Sequence, residues 1–265
     1  MTSTSTAPTL RQLTLPTSVL LIVGAGAWVG VLAVAPGMTA MPGAMGLTFG
    51  AFMAVWALMM TAMMLPTTAP FAALYTRTLI DHRARRITEL ACGYLLVWVL
   101  AGVPAYGLAW VAGELVDTRP TAAKVLAVAI FAACGIYQLT PLKDRCLTRC
   151  RSPLGFIFKY GSYQGRLRDV RVGMSHGGFC LGCCWALMAV LVAVGLMDEA
   201  AMVALGAVVL AEKTWTWGPQ LSRAVGVVAL VLAVVVVFRP SLAGGLYPGP
   251  EMSGGGMSTS TVSGN

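Results

Sequence analysis

The run His176-Gly-Gly-Phe-Cys180-Leu-Gly-Cys183-Cys184-Trp185 gathers three thiols and an imidazole within ten residues. At about 100° per residue, a helix puts Cys180, Cys183 and Cys184 on one face, with His176 on the same side a turn earlier. Soft sulfur ligands on the inner face of an apolar helix suit a soft metal ion. A second pair, Cys146 and Cys150, lies in Pro141-Leu-Lys-Asp-Arg-Cys146-Leu-Thr-Arg-Cys150-Arg-Ser-Pro153, where the two prolines bracket about three helical turns. At i and i+4 these thiols stack on one face. The expected metal ligands are therefore Cys180, Cys183 and Cys184, closed by Cys146 and Cys150 folding back. His176 lies about 12 Å along the helix from Cys184, so the two cannot hold the same ion. His176 is expected as a gate, a second ligand position or a turn residue. Two sulfurs that share an ion must lie within roughly four to five ångströms, because metal–sulfur bonds are about 2.3 Å.

Methionine is the second soft donor. Eight of the fifteen methionines fall between Met38 and Met64. On a helix Met53, Met60 and Met64 group within about 40° of each other, with Met63 at the margin. Thioethers bind Cu(I) and discriminate against harder divalent ions. Met53, Met60, Met63 and Met64 are thus expected as relay ligands, with Met38, Met41 and Met45 collecting ions outside. The alternative for such a stripe is adaptable packing. Glu212 closes an apolar stretch and precedes Lys213. An acid at that depth is expected to take a proton or neutralise a charge, unless the Glu-Lys pair snorkels to water. Cys92 and Cys134 stand alone and read as packing residues.

The elements that must position these groups are membrane helices. Of 265 residues, 57% are hydrophobic and 11% charged, and mean hydropathy is +0.78. A soluble domain carries about 25% charged residues. Apolar runs predict about seven spans, near 17–35, 46–66, 88–112, 121–139, 177–197, 200–217 and 221–238. The sixth is the weakest. The predicted fold is all-α, a polytopic bundle over 17–240, with a cysteine-bearing insert at 141–175 between the fourth and fifth spans. Residues 1–16 and the Gly/Ser-rich 241–265 read as disordered tails, and the start carries no recognisable secretory cleavage site.

Arg77, Arg83, Arg85 and Arg86 follow the second span. Eight cations, Lys143 among them, lie in the insert. Glu114, Asp117, Asp198 and Glu199 fall on the other side. The positive-inside rule places the N-terminus and the insert in the cytoplasm and the C-terminus outside, in a bacterial inner membrane. The net charge of +8 is then a topology signal, assisted by anionic lipid, and no nucleic-acid partner is expected.

Met59 to Pro66, Tyr137 to Pro153, His176 to Met188 and Glu212-Lys213 together resemble a bacterial family of predicted metal-binding integral membrane proteins of unknown function. The resemblance runs from the second span to the sixth and implies a membrane fold and a bound metal. No phosphate-cradling glycine loop, Ser-His-Asp order or carboxylate pair is present, and two histidines are too few for a histidine-rich catalytic centre. Binding or transfer is favoured over an enzyme. The expected cargo is Cu(I), passed by transport or by delivery to a membrane metalloenzyme, with a soluble metallochaperone as a further partner and a homo-oligomer allowed. Two other readings stand beside it. One is thiol redox exchange in a membrane oxidoreductase or its assembly. The other is a structural Zn(II) joining the insert to the fifth span.

Overall fold

The computed structural model describes residues 15–35, 43–44, 46–77, 79, 82–151, 163 and 165–247. The chain is all-α. In order come α1 (Leu15–Val34), α2 (Phe49–Met64), a 3-10 turn (Pro66–Thr68), α3 (Ala69–Arg77) and α4 (Arg83–Thr118). Then follow α5 (Pro120–Gln138), α6 (Pro141–Arg151), α7 (Arg168–Val194), α8 (Glu199–Thr214) and α9 (Gly218–Phe238). The expected tails and the outer Met38, Met41 and Met45 lie outside the described residues, the tails apart from their edges.

Local chemistry sets the boundaries. The Thr48 side chain accepts from the Ala51 amide at the start of α2, and the Asp198 carboxylate does the same for Ala201 at 2.7 Å in α8. Such caps satisfy orphan N–H groups of the first turn. Pro120, Pro141 and Pro219 sit in the first turns of α5, α6 and α9, where a missing N–H is harmless. Pro66 interrupts α2, and the chain passes through the 3-10 turn into α3.

Five stretches are helical, long and apolar enough to cross a membrane: Phe49–Arg77, Arg83–Thr118, Pro120–Gln138, Arg168–Val194 and Gly218–Phe238. Outward faces of the bundle carry Ile22, Val29, Leu100, Val125, Val234 and Phe238, all exposed, as suits helices that face hydrocarbon. α1 is apolar but shorter over Ser18–Val34. α8 has sixteen residues and stops at Thr214, short of the predicted sixth span. α7 is the central element. In its apolar window 61% of residues are buried, against 22–44% in the other four spans.

α7 lies against α4 along glycines. A Cβ on Gly173 would stand 2.0 Å from the Leu90 carbonyl oxygen, and one on Gly93 would stand 2.2 Å from that of Val170. Backbones approach this closely only where side chains are absent. Gly26 and Gly30 of α1, spaced so that another helix could approach closely, make no comparable contact. A Cβ on Gly26 meets nothing within 4 Å, and one on Gly30 meets Leu58 at an ordinary 3.4 Å.

Within the 141–175 insert the described residues at both ends are helical. α6 packs onto α7 and α8, and α7 already begins at Arg168. Beyond α9 the chain continues through Pro240–Leu242 and Gly244–Leu246, where Leu246 is buried.

Candidate metal centre

Cys180, Cys183 and Cys184 are all buried on the inward face of α7, as is His176. Burial follows from the helical period, which turns these four residues toward α4, α6 and α8. The Cys183 and Cys184 sulfurs are 3.3 Å apart. The Cys183 thiol also reaches the Cys180 carbonyl oxygen at 3.1 Å.

α6 supplies the fourth sulfur. Cys150 Sγ lies 3.8 Å from Cys183 Sγ, inside the limit of about 4.6 Å for two sulfurs sharing one ion. Two thiols 33 residues apart in the chain are thereby brought together. Cys146 does not join this contact. Its half-buried sulfur packs on Gly182, where an added Cβ would stand only 3.0 Å away. Among the described residues, no three His, Cys, Asp or Glu side chains already form a group that could hold an ion. The preformed contacts are sulfur pairs.

A lysine faces the thiols. Lys213 Nζ lies 2.8 Å from Cys180 Sγ and donates to Thr67 Oγ1 at 3.0 Å. The Tyr94 hydroxyl lies 2.9 Å from the same sulfur and also donates to the Met64 carbonyl at 3.2 Å. That carbonyl also accepts from the Thr67 hydroxyl at 2.8 Å, because the Thr68 amide turns to Leu65 in the 3-10 turn. Met64 thus connects to the thiols through its backbone and Tyr94. Met60, Met63 and Met64 are buried in the same core. Met63 packs toward α8 and α1, near Gly206 and Trp28. His176 stacks on Phe71 with ring centroids 4.2 Å apart and planes nearly parallel, and lies 5.8 Å from Tyr94. Cys134 is buried, and Cys92 is exposed.

Glu212 is also buried, but its partner is not Lys213. Lys143 Nζ donates to Glu212 Oε2 at 2.7 Å and to the Cys183 carbonyl at 2.6 Å. Gln138 Nε2 donates to Glu212 Oε1 at 3.2 Å, and Ser222 Oγ donates to Gln138 Oε1 at 3.2 Å. This network joins α5, α6, α7, α8 and α9 around one carboxylate. Arg151 Nη1 adds a bond to the Glu212 carbonyl at 2.6 Å. Burial pulls the Lys143 ammonium down, but the sulfurs of Cys184 and Cys183 and the Glu212 carboxylate outweigh it. Its pKa stands above the ordinary lysine value.

The sequence reading missed Lys143, Lys213, Tyr94, Gln138 and Ser222 as site residues. Lys143 had a signal. Lys143, Leu147 and Cys150 follow the i, i+4, i+7 spacing of a single helix face, and the first two are buried.

The arrangement is a helix bundle whose centre holds thiols beside the Lys213 ammonium group, a set of soft donors. Comparison with known families agrees: the family described as "PpoB2: Copper chaperone" matches residues 53–236, which include every thiol, Glu212 and Lys213. The chain belongs to this copper chaperone family. Neither a curated protein nor a solved structure matches the chain.

Proposed function

We propose that this protein is a polytopic inner-membrane copper chaperone that carries Cu(I) on buried thiols and delivers it to a membrane metalloenzyme. The reading takes seven spans with the N-terminus and α6 in the cytoplasm. The ligands are drawn from Cys150, Cys180, Cys183 and Cys184. Met60, Met63 and Met64 provide a thioether-rich path along α2.

The observation that carries this reading is the 3.8 Å contact between Cys150 and Cys183. Copper(I) accepts two thiolates, and preformed sulfur pairs suit that number. Charge supports it as well. A copper(I) dithiolate has one net negative charge, and the Lys213 ammonium beside Cys180 offsets it. Glu212 and Lys143 already neutralise each other, so they add nothing to that sum. A buried assembly without net charge avoids the large desolvation penalty of an unpaired ion.

The test is metal analysis of detergent-purified protein loaded with Cu(I), wild type beside Cys150→Ser and Cys183→Ser. Both variants should lose copper, and X-ray absorption of the wild type should give a sulfur shell shorter than the about 2.3 Å of a zinc–thiolate bond. Equal copper in all three proteins would remove the thiol centre. A reversible Cys183–Cys184 disulfide with no bound metal would favour redox exchange instead.

A further inference from the structure

Cys146 is the α6 thiol that the buried centre does not use. It opens instead on a groove of about 460 Å³ on the outer face of α6, lined by Asp144, Arg145, Cys146, Thr148, Arg149 and Phe179. α6 lies outside the stretches able to cross a membrane. Arg145 and Arg149 are exposed. The Arg149 guanidinium is held over the Phe179 ring, 5.1 Å from its centroid, which fixes a long flexible cation at the rim. The groove's acid, Asp144, already faces Arg223 at 3.4 Å, so the rim is left positive, while Leu142 and Phe179 make most of the lining apolar.

A positive rim around a thiol repels a bare copper ion. It attracts one that arrives inside an anionic complex. Two arginine forks on a rim recognise carboxylates in bidentate fashion. The volume falls in the range of small-molecule sites, roughly 300–1,000 Å³, and suits a ligand of tripeptide size. We infer that the α6 groove docks a small carboxylate-bearing thiol carrying Cu(I), and that Cys146 and Cys150 pass the ion in turn between this carrier and Cys183. The inference rests on the thiol centre proposed above.

Each step is a ligand exchange at constant oxidation state. The Cys146 thiol forms a Cu–S bond to the carrier's copper(I) dithiolate. One carrier Cu–S bond breaks, and the departing thiolate leaves as a thiol with the Cys146 proton. Cys150, one turn away on the same face, displaces the second carrier thiolate in the same way. Cys183, at 3.8 Å, then takes the place of Cys146. Its proton returns to Cys146.

The experiment uses full-length apoprotein in detergent, mixed with Cu(I)–glutathione or with Cu(I) bound to the uncharged thiol β-mercaptoethanol. Copper transfer is followed by stopped flow. Arg145→Gln/Arg149→Gln should slow transfer from Cu(I)–glutathione by about tenfold or more, and added salt should slow the wild type, because steering by rim charges acts on association. Transfer from the β-mercaptoethanol complex, which has no carboxylates and only the single charge of its dithiolate, should slow far less in that variant. Cys146→Ser should slow transfer from both carriers and leave the final copper content unaltered. Equal rates for wild type and the double-arginine variant would overturn the inference, as would a Cys146→Ser protein as fast as wild type. Dependence on the arginines seen only with an acidic copper-carrying protein, and not with glutathione, would overturn it too and assign the groove to a protein. If wild type takes copper from neither carrier, the thiol centre itself fails, and the port fails with it.

Discussion

Replacing Lys143 by methionine should both loosen the bundle and empty the copper centre. Lys143 and Glu212 have side chains 0% and 1% exposed, with N and O 2.7 Å apart. At an effective dielectric constant of about 20, their attraction is ~6 kcal/mol. Desolvation of two buried ions is a penalty of several kcal/mol each, so the intact pair contributes little net stability. Removing one partner is different, because Glu212 is then left buried without its cation, which costs about 3–5 kcal/mol. The lost charge-assisted bond to the Cys183 carbonyl belongs to the same loss. Removing both ions with Lys143→Met/Glu212→Leu should restore most of it. The assay is a double-mutant cycle on unfolding in detergent, followed through the protein's seven tryptophans. A coupling of about 2 kcal/mol or more is expected, the range seen for interacting neighbours. Copper content should fall in Lys143→Met, since Lys143 anchors the helix that brings Cys150 to Cys183. Additive effects in the cycle would refute the buried pair. Full copper in a destabilised Lys143→Met protein would refute the link between the pair and the centre.

Lys213→Met should weaken Cu(I) binding by about ten- to a hundredfold, from the ~1.5–3 kcal/mol of a bond to a charged group; competition with a Cu(I) chelator measures it, and unchanged affinity would remove Lys213 as counter-charge. Gly173→Ala should force α4 from α7, since its Cβ would meet the Leu90 carbonyl oxygen at 2.0 Å. A loss of about 1–3 kcal/mol is expected, with Cys180 becoming more reactive to maleimide as Tyr94 withdraws. A wild-type melting curve would show that the two backbones do not touch there. Trp56→Phe removes the Nε1 bond to the Trp98 carbonyl, 2.8 Å long and buried. It should cost about 1 kcal/mol with no change in copper content, and loss of copper would mean that this bond helps to shape the centre.

Much of the centre was legible because helical geometry is local. The spacing of His176, Cys180, Cys183 and Cys184 fixes one face, and that face is buried. Pro141 opens α6, and its two thiols could be placed on one side. Which of them meets Cys183 could not be read, since that depends on the depth at which α6 docks. The partners of Glu212 and Lys213 were hidden for a related reason. Adjacent helical residues point about 100° apart, so Glu212 turns to Lys143 and Lys213 turns to Cys180. Lys143 was hidden among cations that read as a topology signal, although it lies on the cysteine face. The glycine contact of α4 with α7 was not predicted, because small residues reveal a close approach only when the opposing helix is known.

The two sulfurs at the heart of the centre belong to different helices, Cys150 to the peripheral α6 and Cys183 to the central α7. On the proposed reading, an ion between them would be a reversible clasp. When it is in place, the outer helix is tethered to the core, and amide hydrogens along α6 should exchange more slowly. When it departs, the tether is gone. Cargo and surface are thereby linked, and an acceptor enzyme that grips α6 only in its tethered form would dock on a laden chaperone and let go of a spent one.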